Sequence, residues 1–265
     1  VKINIPSANR YSLLIEKIFT NHYRKGLSEL PFDRDELIST AKKLKIVLPK
    51  NLGDVLYSIR YRMDMPATIL ATQTEGKEWI IDGRGKAQYA FCLKSFCKIT
   101  PNKQLASIKI PDATPEIVAA YAFTDEQALL AKVRYNRLID IFLGITAYSL
   151  QNHLRTSVKG LGQIETDELY VGIDKKGRQF ILPVQAKGGK DKLSTVQTRQ
   201  DFACCTEKFP HLLCRPVSVQ FAEKDLIAIF ELAKFDEEFR IVEERHYKLV
   251  PANQITTEDL KRYSV

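Results

Sequence analysis

Apolar residues recur at helical spacing at Leu37, Ile38, Ala41 and Leu44, which predicts a helix with Lys42, Lys43 and Lys45 off its buried face. Asp33 is placed to cap its start, and Glu36 three residues on has the spacing of a capping box. Pro49 disfavours helical backbone in the residue before it. A second helix is expected from about Asn51, burying Leu52, Val55, Leu56 and Ile59. The runs Trp79-Ile80-Ile81 and Tyr89–Leu93 flank Asp82-Gly83-Arg84-Gly85-Lys86 and predict a hairpin, with glycines free to take the positive-φ positions of its turn. Pro101, Pro111 and Pro115 punctuate residues 100–116. Thr124 and Gln127 then open a helical pattern that runs through Leu129, Val133, Leu138, Phe142 and Tyr148 to about Leu154, with Gly144 a point of division. Gly160 and Gly162 end that unit. Residues 162–174 and 179–189 flank the polar turn Lys175–Arg178 and predict an antiparallel strand pair. A helix over 190–201, strands over 214–221 and 226–230, and a late strand around 239–242 complete the pattern.

Helix, turn, helix and hairpin in that order resemble a winged helix, in which the second helix can enter the major groove. Tyr57, Ser58, Arg60, Tyr61 and Arg62 fall largely off the buried stripe of that helix, and Arg84 and Lys86 sit at the hairpin tip. These seven residues are the expected DNA contacts, through phosphate, sugar and base edges. The charge distribution points the same way. Residues 1–105 hold 18 Lys+Arg against 10 Asp+Glu, whereas residues 106–265 hold 22 of each. The whole excess of +8 lies in the first part of the chain, the mark of a part that meets a polyanion. The expected organisation is a winged-helix-like domain over 1–105, a linker over 106–124 and a second domain over 125–265.

Composition narrows the remaining classes. At 45% hydrophobic and 27% charged residues, the chain is ordinary for a globular protein. No apolar run is long enough to span a membrane, and Val-Lys-Ile-Asn-Ile-Pro has no signal-peptide core, so a cytoplasmic location is expected. The five cysteines show no pair of CxxC knuckles, which argues against a zinc site and for reduced thiols.

The chemistry concentrates in the predicted strand pair. Glu165 and Asp167 share parity on the first strand, and Gln185 and Lys187 share parity on the second. A turn centred near Lys176 sets Asp167 opposite Gln185, so a carboxylate, an amide oxygen and an ammonium meet at one spot. Such a spot can bind Mg²⁺, polarise a phosphodiester and activate a water. A lysine beside it can orient that water and stabilise developing negative charge.

Asp167 followed by Gln185-Ala186-Lys187 resembles the PD-(D/E)XK nuclease superfamily, the fold of many restriction endonucleases. The resemblance covers about residues 125–235 and implies an α/β fold, a restriction-endonuclease-like mixed sheet flanked by helices. It implies that Asp167 binds metal, that Gln185 takes the place of the second acid, and that Lys187 is the catalytic lysine. Gln removes a negative charge from the site, so another acid is expected to help. Glu165 is the first choice, ahead of Glu168 or a residue of the long helix. The family's leading Pro-Asp pair is absent. The implied activity is Mg²⁺-dependent cleavage of double-stranded DNA, with Mn²⁺ able to substitute, as in a type II restriction endonuclease. Such an enzyme is expected to be a homodimer and can be accompanied by a cognate DNA methyltransferase. Two other readings fit the same residues: a nuclease of repair, junction resolution or mobile elements, and a winged-helix DNA-binding regulator without activity. No GxxxxGK[ST] loop is present to power translocation.

Overall fold

The computed structural model describes residues 7–95, 98–121, 126–188, 193–223, 226–236 and 238–264. The chain forms two compact units, one of Val1–Lys98 with Ser157–Gln163 and the other of Ile99–Thr156 with Ile164–Val265.

The first unit runs α1 (Ser7–His22), β1 (Glu29–Asp33), α2 (Arg34–Lys43), α3 (Gly53–Tyr57), a π turn (Ser58–Arg62), α4 (Ala67–Leu70), β2 (Lys77–Gly83) and β3 (Gln88–Ser95). Its antiparallel sheet has the order β1-β3-β2, with Ile80 facing Cys92 and Leu30 facing Phe91. Val55, Leu56 and Ile59 are buried as the stripe predicts, whereas Ile38 and Leu44 stay exposed. Phe91 is the centre of this core, with the rings of Phe19 and Phe32 at 5.2 and 4.9 Å. β1 is an addition to the predicted elements, since its five residues include Pro31 and give only Leu30 and Phe32 as an apolar signal.

The expected capping box at α2 forms by half. Asp33 Oδ1 accepts from the Glu36 amide at 2.8 Å. The Glu36 carboxylate turns to His22 Nε2 at 2.8 Å and does not reach back to the cap. Asp33→Ala should therefore lower stability by about 1 kcal/mol, read as a shift of the urea midpoint without a change in slope.

The second unit is an α/β assembly on a curled mixed sheet. Its helices are α5 (Glu116–Tyr121), α6 (Glu126–Tyr135), α7 (Leu138–Leu143), α8 (Thr195–Lys208) and α9 (Thr257–Tyr263). The strands are β5 (Ser107–Pro111), β6 (Thr146–Val158), β7 (Gly162–Ile173), β8 (Gln179–Lys187), β10 (Leu213–Cys214), β11 (Val217–Glu223), β12 (Leu226–Phe235) and β13 (Glu238–Val250). They follow the order β5-β13-β12-β11-β8-β7-β6, with β10 also paired to β8. The two-residue strands β4 (Lys98–Ile99) and β9 (Leu193–Ser194) pair with each other. Leu129, Val133, Leu138 and Phe142 of α6 and α7 pack on Leu182, Val184 and Ala186 of β8. Cys205 of α8 packs with Leu169 and Ile181.

Three expectations need correction here. The helix expected to run to Leu154 stops at Leu143, because Gly144 adopts φ +65° and caps it; residues 146–158 are strand β6. Arg137, at φ +49°, separates α6 from α7. The stretch expected as a linker supplies α5 and β5, and β5 pairs in parallel with β13. The helix after β8 is described from Thr195, capped by the Ser194 hydroxyl accepting from Val196 N, and continues beyond Asp201 to Lys208. Residues 190–192 of that expectation, and Thr124 of the capping pair, lie outside the described residues.

Candidate functional site

β7 and β8 keep one register from Ile173↔Gln179 to Glu168↔Val184, the alignment the central turn dictates. Asp174 fixes that turn by accepting from the amides of Lys176 and Arg178. Beyond Glu168 side chains enter the pattern. The amide of Ala186 donates to Asp167 Oδ2 at 2.8 Å, and Gln185 Nε2 donates to the Glu165 carbonyl at 3.3 Å.

Lys187 is 1% exposed. Its ammonium donates to Glu126 Oε1 at 3.0 Å and to the Ala186 carbonyl at 2.9 Å. Asp167 Oδ2 lies 3.7 Å away. Two carboxylates and a carbonyl thus surround one cation. Burial pushes the Asp167 carboxyl above its ordinary value, opposed by the Lys187 ammonium and the Ala186 amide.

Glu126, the first residue of α6, belongs to the long helix that the sequence offers only as a later choice for the extra acid, with no residue of it singled out. The helix-start signal around it was present, but nothing local says that this helix end meets the end of β8. Asp201 of α8 is an omission. It is 1% exposed, accepts from Thr166 Oγ1 at 2.5 Å and from Gln185 Nε2 at 2.8 Å, and burial pushes its pKa up to about 7.

The structure reassigns several expected contacts. The Gln185 amide oxygen, expected to face a metal, accepts from Gln197 Nε2 at 3.0 Å, and its nitrogen is held by Asp201. Gln185 therefore links β8 to α8. Glu165 faces β6, 3.1 Å from Arg155 Nε and 3.4 Å from His153 Nδ1. Glu168 is fully buried against Arg134 Nε at 2.8 Å and Ser149 Oγ at 2.7 Å. Among the described residues, Asp167 and Glu126 place carboxylate oxygens 3.7 and 3.0 Å from the Lys187 ammonium.

Of the expected DNA contacts of the first unit, Arg60 and Arg84 are engaged in the fold. Tyr57 and Ser58 are half-buried. Arg60 Nε donates to the Ile81 carbonyl at 2.8 Å. The side chains of Tyr61 and Arg62 lie outside the described residues. Arg84 is tied to Glu29 at 2.8 Å, to Asp82 at 3.2 Å and to Cys92 Sγ at 3.0 Å. Lys86 is exposed. Ser58–Arg62 wind as a π turn that keeps Ile59 buried. The exposed cations beside this segment are Lys42, Lys43, Lys45 and Lys50, at the end of α2 and in the turn to α3.

Among the described residues no three His, Cys, Asp or Glu side chains form a metal-holding group. The oxygens around Lys187 nevertheless fit a hard divalent cation, because two carboxylates and a backbone carbonyl are the donors Mg²⁺ and Mn²⁺ take alongside water. Among the described residues no helix is long and apolar enough to cross a membrane. No family model, no curated protein and no solved structure matches this chain.

Proposed function

We propose that this protein is a Mg²⁺-dependent endodeoxyribonuclease acting on double-stranded DNA, with Mn²⁺ as a substitute metal. One observation carries the reading: Asp167 and Lys187 on neighbouring strands converge within 3.7 Å at the end of a buried strand, with Glu126 closing the group. Asp167, Glu126 and the Ala186 carbonyl would hold the cation. When bound, it supplies charge to polarise the phosphodiester and lower the pKa of a water. Lys187 moves its ammonium from these oxygens to the phosphate, where it offsets the charge that develops during attack. Asp201 holds Gln185, and through it the end of β8, in place.

The restriction-endonuclease-like reading of the second unit rests on the acid, the hairpin and the Gln-x-Lys end of β8. The winged-helix-like reading of the first unit rests on its helix and strand order and its β1-β3-β2 sheet. The excess positive charge suits DNA positioning by that part of the chain. A homodimer, cutting both strands, and a partner methyltransferase belong to the type II form of the proposal. Incubation of plasmid and genomic DNA with Mg²⁺, followed by sequencing of the ends, tests it. Ends at one short sequence are expected; ends confined to branched or damaged substrates point to a repair or junction role.

A DNA-binding protein without hydrolytic activity is favoured by a single observation, the 1% exposure of Lys187 in its ion pair. Intact DNA across Mg²⁺ and Mn²⁺ conditions would decide for it.

A further inference from the structure

Glu165 presents a carboxylate to two cationic or potentially cationic groups on β6. Arg155 Nε is 3.1 Å from Glu165 Oε2, and His153 Nδ1 is 3.4 Å from Glu165 Oε1. The other ring nitrogen of His153 meets the side-chain nitrogen of Gln127 at 2.8 Å. Gln127 follows Glu126, which holds Lys187, and Glu165 stands two residues before Asp167. The group therefore borders the site from the β6 side.

Exposure distinguishes it from the buried centre. The side chains of Arg155, His153 and Glu165 are 68%, 49% and 39% exposed. An ion pair so open to water contributes only about 0.2–1 kcal/mol, so a competing anion can displace it. A phosphodiester can take the place of the carboxylate, because its two free oxygens match the planar fork as a carboxylate's do. His153 is held at φ +49°, unusual for a residue with a Cβ. That backbone costs of order 1–2 kcal/mol, and it aims the ring at Glu165 and Gln127.

We infer that Arg155 and His153 form a phosphate subsite beside Lys187, and that Glu165 occupies it in the free protein until a DNA backbone phosphate takes its place. The inference rests on the nuclease reading for the identity of the anion, and it removes Glu165 from the metal site. Glu165 acts instead as a built-in counter-ion that weakens DNA binding.

The test is binding of a fluorescein-labelled DNA duplex, read by anisotropy in EDTA over a series of KCl concentrations. Arg155→Ala should weaken binding about tenfold and reduce the slope of log Kd against log salt by about one. His153→Asn, which tolerates the left-handed backbone, should weaken it by about threefold if one charge-assisted contact is lost. Glu165→Gln should tighten it about threefold, and that gain should vanish in the Arg155→Ala background. Wild-type affinity and slope for Arg155→Ala would overturn the subsite, as would a Glu165→Gln gain that persists without Arg155. Failure of the nuclease reading looks different: the wild type binds with these effects intact, yet leaves DNA uncut in Mg²⁺.

Discussion

Lys187→Ala and Lys187→Met lower the rate of DNA cleavage by about a thousandfold or more while duplex binding persists. The rate expectation follows the usual cost of removing a group that stabilises transition-state charge. Lys187 makes its contacts at the end of β8, and the exposed basic surface of the first unit is untouched by the substitution. The same variants change stability. Without the ammonium, buried Asp167 and the Ala186 carbonyl lose the cation they share with Glu126. Breaking a buried pair in this way costs about 3–5 kcal/mol. Added Mg²⁺ or Mn²⁺ should recover more thermal stability in Lys187→Ala than in the wild type, because the metal no longer competes with a tethered cation. A variant that cuts at the wild-type rate contradicts the catalytic role of Lys187. One that loses DNA binding together with cleavage contradicts the separation of gripping from cutting.

Asp201→Asn makes the folded chain more stable than the wild type at pH 8, by a margin that shrinks as the pH falls and closes only near pH 4. In the fold the Asp201 carboxyl titrates at about 7, raised from 3.8 by burial. Between those values the folded chain keeps a proton that the unfolded chain has released. Stability from this group is therefore fully present below the unfolded value, falls as pH rises through the window, and is lost above about 7. A shift of this size corresponds to a few kcal/mol, on the order of 4. Asparagine carries no such proton. Its amide oxygen can still accept from Thr166, and the Gln185 and Gln197 amides can reverse to receive its NH₂, giving up the long Gln185 contact to the Glu165 carbonyl. That reversal gives the Gln197 oxygen, buried without a partner among the described residues, a donor. Asp201→Ala offers no compensation, removes the acceptor of the Thr166 hydroxyl and the shorter of the two contacts of the Gln185 amide nitrogen, and should lose about 2–4 kcal/mol at pH 5. Melting temperature against pH for the three proteins is the measurement. Parallel curves for wild type and Asp201→Asn contradict the assignment.

The β7–β8 hairpin was legible because a polar turn joins two apolar runs, and the turn fixes the register arithmetically. With the register comes the approach of Asp167 to Lys187, since both are set by strand position. Glu126 and Asp201 were not legible, because each enters the site from a helix whose placement on the sheet is a tertiary fact. Locally they read as acidic residues near helix starts or on polar faces. The strand at 146–158 was lost to a helical pattern because Tyr148 and Leu150, both exposed, give no clean alternation. Gly144 was the one correct hint. The basic residues Arg60 and Arg84 looked like free surface charges in the sequence, but the backbone carbonyl of Ile81 and the acids Glu29 and Asp82 hold them.

On the proposed reading, the oxygens around Lys187 organise hydrolysis of duplex DNA. Its most direct test is the time course of supercoiled plasmid with Mg²⁺, run for wild type and Asp167→Asn, with duplex binding measured on the same preparations. Nicked and linear products are expected from the wild type, none in EDTA, and none from Asp167→Asn despite retained binding. Intact plasmid with the wild type, or wild-type cleavage by Asp167→Asn, would contradict it.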